Sequence, residues 1–166
     1  DTGGSLHDRL SLIGTQAILS FLEQNQTLIG EAQDNSLANY AHKLSKQEAE
    51  INWSDSAQQI CLNIRAFNPW PVAYLITTIG KQNDARIRIL EAELVEHEGP
   101  ESTGTVIEKN KKGIVIKCKK HAIRVLKLQV PGSKAMDVQA FVNGGKAILN
   151  AGDCLMNEDQ HESTSS

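Results

Sequence analysis

The longest run of chemically active side chains in this sequence is positively charged. Residues 109–134 contain nine lysines and arginines and no aspartate or glutamate. The nine are Lys109, Lys111, Lys112, Lys117, Lys119, Lys120, Arg124, Lys127 and Lys134. Lysine and arginine bind polyanions because neutralising phosphates releases condensed counterions. The block predicts a nucleic-acid surface, and the alternative is a charged strand surface that only keeps the protein in solution.

The overall charge hides this block. The 166 residues carry a net charge of -3, yet residues 1–70 hold four basic against eight acidic side chains and residues 71–157 hold thirteen against nine. With 40% hydrophobic and 22% charged residues, the composition is typical of a folded domain. No apolar run approaches the length of a membrane span, and the first residues do not resemble a signal peptide. We therefore expect a cytoplasmic protein.

The other reactive side chains show no catalytic or metal-binding pattern. Cys61, Cys118 and Cys154 include no C-x-x-C pair, and their odd number argues against a disulfide framework. The five histidines share no ligand spacing, so no metal is expected. Cys61 and Cys118 fall at apolar positions of predicted elements, where we expect them buried and unreactive. No local signature indicates a nucleophilic triad.

Two amphipathic helices precede the basic block. The first is predicted to begin at Ser5 as its N-cap and has an apolar stripe that needs a surface to lie against, formed by Leu6, Leu10, Ile13, Ala17 and Phe21. The second is predicted over residues 55–67 with Ser54 as its cap, and it ends before Pro69. The intervening segment is polar, and Ser45 and Glu48 have the spacing of a capping box.

The pattern after Pro71 changes to short β-branched runs separated by turns. Strands are predicted at 73–79, 86–95, 105–108, 114–118 and 123–130, followed by a short helix at 138–142. The apolar phase slips near Ile89, which predicts a β-bulge. Alternation in the fourth strand places Lys117 on the outer face. The predicted fold is mainly β with helices: a small antiparallel OB-like (Greek-key) barrel preceded by an amphipathic helix.

Three aromatic residues lie near the predicted junction of helix and barrel. Trp53, Phe67 and Trp70 could form a stacking platform, but aromatic residues beside proline turns usually pack, so we expect them in the core. A surface with few exposed aromatics is a poor fit to single-stranded nucleic acid. It suits contacts with the backbone of a folded RNA better.

Four separated strings, in the same order along the chain, resemble those of one family. Residues 65–71, Arg-Ala-Phe-Asn-Pro-Trp-Pro, resemble a string of the methionyl-tRNA formyltransferases. Residues 40–49 with the following Ile51-Asn52-Trp53 are similar to the family's linker, residues 2–10 to the last helix of its catalytic domain, and residues 128–136 to its Leu-Gln-Pro-x-Gly-Lys-Lys-Ala-Met string. The chain departs from that last string at Val130-Pro131 and at Ser133, which stands at a common lysine position.

The resemblance implies that the chain corresponds to the C-terminal half of such an enzyme. Residues 1–32 would be the end of a Rossmann-like catalytic domain, 33–50 a linker, 51–157 an OB-like tRNA-binding domain and 158–166 a disordered tail. The family transfers a formyl group from 10-formyltetrahydrofolate to the amino group of methionyl-initiator tRNA, using an Asn, a His and an Asp. These precede the segment that matches Asp1. We therefore expect no catalytic residue and no 10-formyltetrahydrofolate site in this chain.

The resemblance also implies the partners. The nine basic residues, together with Lys43 and Lys46 of the linker, would bind initiator methionyl-tRNA, and the absent catalytic domain would pack on residues 6–21. No membrane is implied. The alternatives are the C-terminal domain of a related formyltransferase or formyltetrahydrofolate hydrolase acting on a non-tRNA substrate, or a stand-alone OB-like nucleic-acid-binding module. The Lys-Leu-Ser-Lys string of the linker favours the tRNA enzyme.

Overall fold

A computed structural model describes residues 1–24, 30–79, 82–145 and 147–155. Single 3-10 turns at Asn35–Leu37 and Gln47–Ala49 lie between the first two helices. In chain order the helices and strands are α1 (Gly3–Glu23), α2 (Ala57–Ala66), β1 (Tyr74–Ile79), β2 (Gln82–Val95), β3 (Val106–Asn110), β4 (Gly113–Lys117), β5 (Ala122–Gln129), β6 (Met136–Asp137) and α3 (Val138–Asn143). The predicted tail at 158–166 lies outside the described residues.

The strands form one antiparallel sheet in the order β1-β2-β5-β4-β3, with β6 added on β5. The five predicted strands are confirmed, and the two-residue β6 is additional. The sheet curls because β2 shifts register against β5 between Ile89 and Glu91 and again between Glu91 and Ala92. This confirms the bulge predicted near Ile89, since an extra residue in one strand bends it. Among the described residues no ladder joins β1 to β3, so closure into an OB-like barrel stays a prediction.

The core lies between the sheet and α2. Ile60 and Ile64 of α2 are buried against β2 and β5, and α3 adds Phe141 from another side. The sheet contributes alternate residues of its strands, including Leu75, Ile87, Ile89, Ile114, Ile116, Ile123 and Leu128. Burying each large aliphatic side chain contributes about 1.5–3 kcal/mol, so this cluster dominates the stability of the fold.

The helix starts differ from those predicted. The cap of α1 is Thr2 and not Ser5: the Ser5 amide donates to Thr2 Oγ1 over 3.1 Å, and the Thr2 amide donates to Ser5 Oγ over 2.9 Å. The cap of α2 is Ser56 and not Ser54, since Ser56 Oγ accepts from the Gln59 amide at 3.2 Å. Ser54 and Ser5 have the right residue type, but a neighbouring hydroxyl residue makes the hydrogen bond: Ser56, two positions after Ser54, and Thr2, three positions before Ser5. The Ser45–Glu48 capping box is confirmed by reciprocal hydrogen bonds.

Helix α1 touches the remainder of the chain at its first turn. The Gly4 amide donates to the carbonyl oxygen of Asn68 over 2.9 Å. A Cβ added to Gly3 would overlap the carbonyl oxygen of Ala66, so only glycine permits this approach. No residue of α1 is buried. Within the described chain, no helix is both long enough and apolar enough to cross a membrane.

Candidate functional site

The structure divides the basic block into two exposed clusters at opposite ends of β4. Lys111 and Lys112 lie in the turn between β3 and β4, and Lys119 and Lys120 lie in the turn between β4 and β5. Four steps along a strand of this length span about 13 Å. The lysine turns, as we call these two pairs, are exposed, and they present their charge as two separate points rather than one patch.

Hydrogen bonds from backbone amides hold both lysine turns in place. The Lys112 amide donates to Asn110 Oδ1 over 2.8 Å. In the second turn the Lys119 amide donates to the carbonyl oxygens of Trp53 and Asp55, and the Lys120 carbonyl accepts from the Ala57 amide. The second turn is therefore held against the start of α2, which orients its lysines relative to the core.

Two of the predicted basic residues, Lys109 and Arg124, are engaged within the protein. The ammonium of Lys109 donates to the carbonyl oxygen of Ile148 over 2.8 Å and lies 5.2 Å from the centre of the Phe141 ring. Burial lowers the pKa of Lys109, and the charge of Asp153 partly opposes this. Arg124 pairs with Glu93 over 2.8 Å. These contacts support the fold and leave less charge for a partner.

Lys117 lies on the face of β4 opposite Ile114, Ile116 and Cys118, as alternation predicts, but it is not open to solvent. The residue is only 8% exposed, and its ammonium is 3.4 Å from the carbonyl oxygen of His97. All five residues of β4 are buried, and at Lys117 the segment that follows β2 lies over the outer side of the strand. His97 of this segment also pairs with Glu101 over 2.7 Å, which lowers the pKa of Glu101.

The remaining predicted basic residues are dispersed. Lys127 is half-buried on β5 and stands in register with Glu91 of β2 and Asp137 of β6, so acids flank it on both sides. Lys134 is exposed after the turn that ends β5. Lys43 and Lys46 are both exposed in the segment before α2. Lys46 also lines a groove that the sequence did not predict.

This basic groove has a volume of about 620 Å³ and contains two arginines that sequence reasoning missed. Arg86 and Arg88 of β2 line it together with Lys46, Trp70, Pro71, Val72, Tyr74, Gln129, Val130, Pro131 and Gly132. The signal was present in the sequence: both arginines alternate with the buried residues Ile87 and Ile89 and so share one outward face. Arg86 and Arg88 lie outside residues 109–134, the acid-free run on which the sequence prediction was based.

Contacts within the groove hold both arginines. The guanidinium of Arg86 lies 4.7 Å from the centre of the Tyr74 ring, and the Tyr74 hydroxyl donates to Glu50 Oε2 over 3.2 Å. Arg88 donates to Gln129 Oε1 over 3.3 Å, and the Gln129 amide donates to the Ser133 carbonyl over 2.8 Å. The arrangement can bind an anion without first ordering flexible side chains.

The aromatic residues at the junction do not behave alike. Trp53 is 2% exposed and belongs to the core, and Phe67 is partly buried against it, as predicted. The prediction that Trp70 is also buried is wrong, because 51% of it is exposed at the basic groove. Its position between two prolines, Pro69 and Pro71, sets it on a turn at the rim rather than inside the core.

The cysteines and histidines of the described chain form no metal centre. In the ranges that the structure covers, no group of three or more His, Cys, Asp or Glu side chains is placed to hold an ion. Burial raises the pKa of Cys118 to about 12, which keeps the thiol protonated and unreactive at neutral pH. Cys61 is half-buried and Cys154 is exposed.

Comparisons with known proteins agree with the sequence strings. The family described as formyl transferase, C-terminal domain, matches residues 43–146. A methionyl-tRNA formyltransferase of Marinobacter nauticus is 46% identical over 154 residues, covering 92% of this chain and 48% of that protein. One of Pseudomonas syringae pv. tomato is 40% identical over 157 residues, covering 93% of this chain and 48% of that protein. The chain spans about half the length of the curated relatives it matches.

A solved structure supports the fold. The crystal structure of HypX from Aquifex aeolicus in complex with tetrahydrofolic acid matches with a TM-score of 0.55, and that of a HypX variant with six substitutions matches with a TM-score of 0.54. The tetrahydrofolic acid complex is 15% identical and the match covers 81% of this chain and 23% of that one. The resemblance to the C-terminal half of methionyl-tRNA formyltransferase is thus confirmed, and the chain belongs to the formyl transferase C-terminal domain family.

Proposed function

We propose that this chain is the C-terminal portion of a methionyl-tRNA formyltransferase and that it binds and positions tRNA in the cytoplasm. The whole enzyme would transfer a formyl group from 10-formyltetrahydrofolate to the amino group of methionyl-initiator tRNA during translation initiation. The 46% identity over 154 residues to a relative of that name carries the proposal. The exposed lysine turns support it, since they offer a polyanion four cations on rigid strand ends.

The division of the chain is part of this proposal. Residues 1–32 would end the catalytic domain, 33–50 would link it, and 51–157 would form the OB-like Greek-key domain. The side chains of Leu10, Ile13 and Phe21 on α1 are exposed, which supports packing of the absent catalytic domain on residues 6–21. The catalytic Asn, His and Asp and the 10-formyltetrahydrofolate site would belong to that domain. The purified chain, given 10-formyltetrahydrofolate and methionyl-tRNA, should show no formyl transfer above background.

A salt-dependent filter-binding titration with initiator tRNA tests the binding role. Affinity should fall steeply with salt. Reversing either lysine turn, by Lys111→Glu with Lys112→Glu or by Lys119→Glu with Lys120→Glu, should weaken binding at least tenfold and reduce the salt slope by about one for each lost phosphate contact. Lys117 is omitted because a carboxylate at that buried position would disrupt the fold.

Arg65→Glu is the control, because Arg65 is an exposed cation at the C-terminal end of α2, whereas the second lysine turn contacts the first residue of that helix, and Arg65 does not line the basic groove. It should leave the affinity within twofold. Binding that ignores salt and both reversals would contradict the tRNA role and favour a family member acting on a non-tRNA substrate.

A further inference from the structure

The exposed Trp70 at the basic groove has no explanation in the packing of the fold. Half of its surface is exposed, whereas the other tryptophan, Trp53, is buried. Tyr74, the other aromatic residue of the groove, is buried and has Arg86 against its ring face. Trp70 is therefore the aromatic surface that the groove leaves open to a ligand.

The charges around Trp70 suit a phosphodiester. Arg86 and Arg88 project from alternate positions of β2, and Lys46 approaches from the segment before α2. None of these three joins the ion pairs formed among the described residues. Glu50 is the nearby acid, and its carboxylate accepts the Tyr74 hydroxyl. The groove therefore combines three cations with one open aromatic ring.

We infer that the basic groove binds an unpaired nucleotide of the RNA, with its phosphate at Arg86, Arg88 and Lys46 and its base stacked on Trp70. The inference rests on the proposed function and adds a second type of contact to it. Within a duplex both faces of each base are covered by neighbouring bases, so away from a duplex end a tryptophan can stack only on an unpaired base. A volume of about 620 Å³ holds a nucleotide but not a duplex.

The two basic features therefore recognise different parts of an RNA. The lysine turns are projecting strand ends, which fit the exposed phosphates of a duplex. The basic groove is concave and carries an aromatic ring, which fits a single strand. Arg88 is already held by Gln129, and Gln129 by the Ser133 carbonyl, so the groove needs little rearrangement to receive a phosphate.

Two RNA hairpins test the inference on the 166-residue chain. One is blunt, and the other has the same stem with four unpaired 3′ nucleotides. The overhang should tighten binding about tenfold, the range expected for stacking one base, and should quench tryptophan emission. Trp70→Leu should abolish both the preference and the quenching, while affinity for the blunt hairpin stays within twofold. Because Trp53 is buried, it reports folding in the variant and does not respond to the ligand.

A second set of variants shows whether an effect of Trp70→Leu could come from a folding defect at the proline turn. Arg86→Gln and Arg88→Gln, made singly, each remove one exposed positive charge and should reduce the overhang preference, and Arg65→Gln is the charge-matched control that should preserve it. Equal affinity of the unmodified chain for both hairpins, or an overhang preference that survives Trp70→Leu, overturns the inference while leaving the tRNA role intact. Failure of both hairpins to bind overturns the proposed function as well.

Discussion

Helices α1 and α2 have similar sequence patterns but differ in how much of their surface is buried. Both begin at a hydroxyl cap and carry an apolar stripe. α2 buries Ala57, Ile60 and Ile64 against the sheet, whereas α1 is twice as long and buries nothing. Isolated helices are only marginally stable in water, and most helical stability in proteins comes from packing. An apolar stripe therefore indicates that a helix has a partner, but not that the partner is in the same chain.

The attachment of α1 explains how it can stay exposed. Its contacts with the remainder of the chain are made by Gly3 and Gly4 against the segment Ala66 to Pro69. The exposed stripe thus projects from an anchored first turn. This geometry suits a helix that belongs to a neighbouring domain and joins that domain to the sheet at a fixed point, as proposed above.

The largest expected effect is a change in the free energy of unfolding that distinguishes the apolar stripe of α2 from that of α1. Ile64 is 1% exposed and Ile13 is 53% exposed. Ile64→Asp should lower the free energy of unfolding by more than about 4 kcal/mol, because it buries an unpaired charge in the core. The same change at Ile13 should alter it by less than about 0.5 kcal/mol. Urea denaturation followed by tryptophan emission measures both. A large loss at Ile13 would show that α1 packs within this chain.

The anchor of α1 gives a second comparison, within one helix. Gly3→Ala places a methyl group against the Ala66 carbonyl and should cost about 1–3 kcal/mol of local stability, the range for overpacking. The matched change is Gly14→Ala, where an added Cβ meets nothing within 4 Å and alanine favours the helix. Hydrogen exchange at the Gly4 amide, which donates to Asn68, reports the anchor. It should accelerate in Gly3→Ala and not in Gly14→Ala. Unchanged exchange in both would mean that the close approach does not hold the helix.

The features that could be predicted from the sequence are those that depend on the local pattern of apolar and polar residues. The strands of the sheet and the bulge near Ile89 followed from alternation and its slip, because side chains on a strand alternate whatever the partner is. Lys117 was expected to be exposed and is not, because alternation predicts exposure only when solvent covers the second face, and at Lys117 the segment containing His97 covers that face. That covering segment is remote in sequence, so no local pattern reports it.

The candidate site shows the same limit. The lysine turns were predictable because turns between strands lie at the surface. The basic groove was not, since it joins Lys46, Trp70, Arg86 and Gln129 from four segments that only the fold brings together. Trp70 was assigned to the core on its neighbouring prolines, which fix a turn but do not decide which side of the turn meets solvent.

The smallest expected effect lies at the two helix caps, and it tests whether α1 and α2 unfold together. Ser56→Ala removes the oxygen that accepts from the Gln59 amide, and Thr2→Ala removes the one that accepts from Ser5. Loss of a cap typically costs about 1 kcal/mol. Because α2 is part of the core, Ser56→Ala should lower the global free energy of unfolding by that amount.

Thr2→Ala should leave the global transition within about 0.3 kcal/mol and instead speed hydrogen exchange in the first turn of α1, since regions with few buried contacts open without global unfolding. Equal losses from the two substitutions would mean that α1 and the sheet form one cooperative unit. The exposed stripe would then be stabilised from within this chain, and the case for a partner domain on residues 6–21 would lose its physical basis.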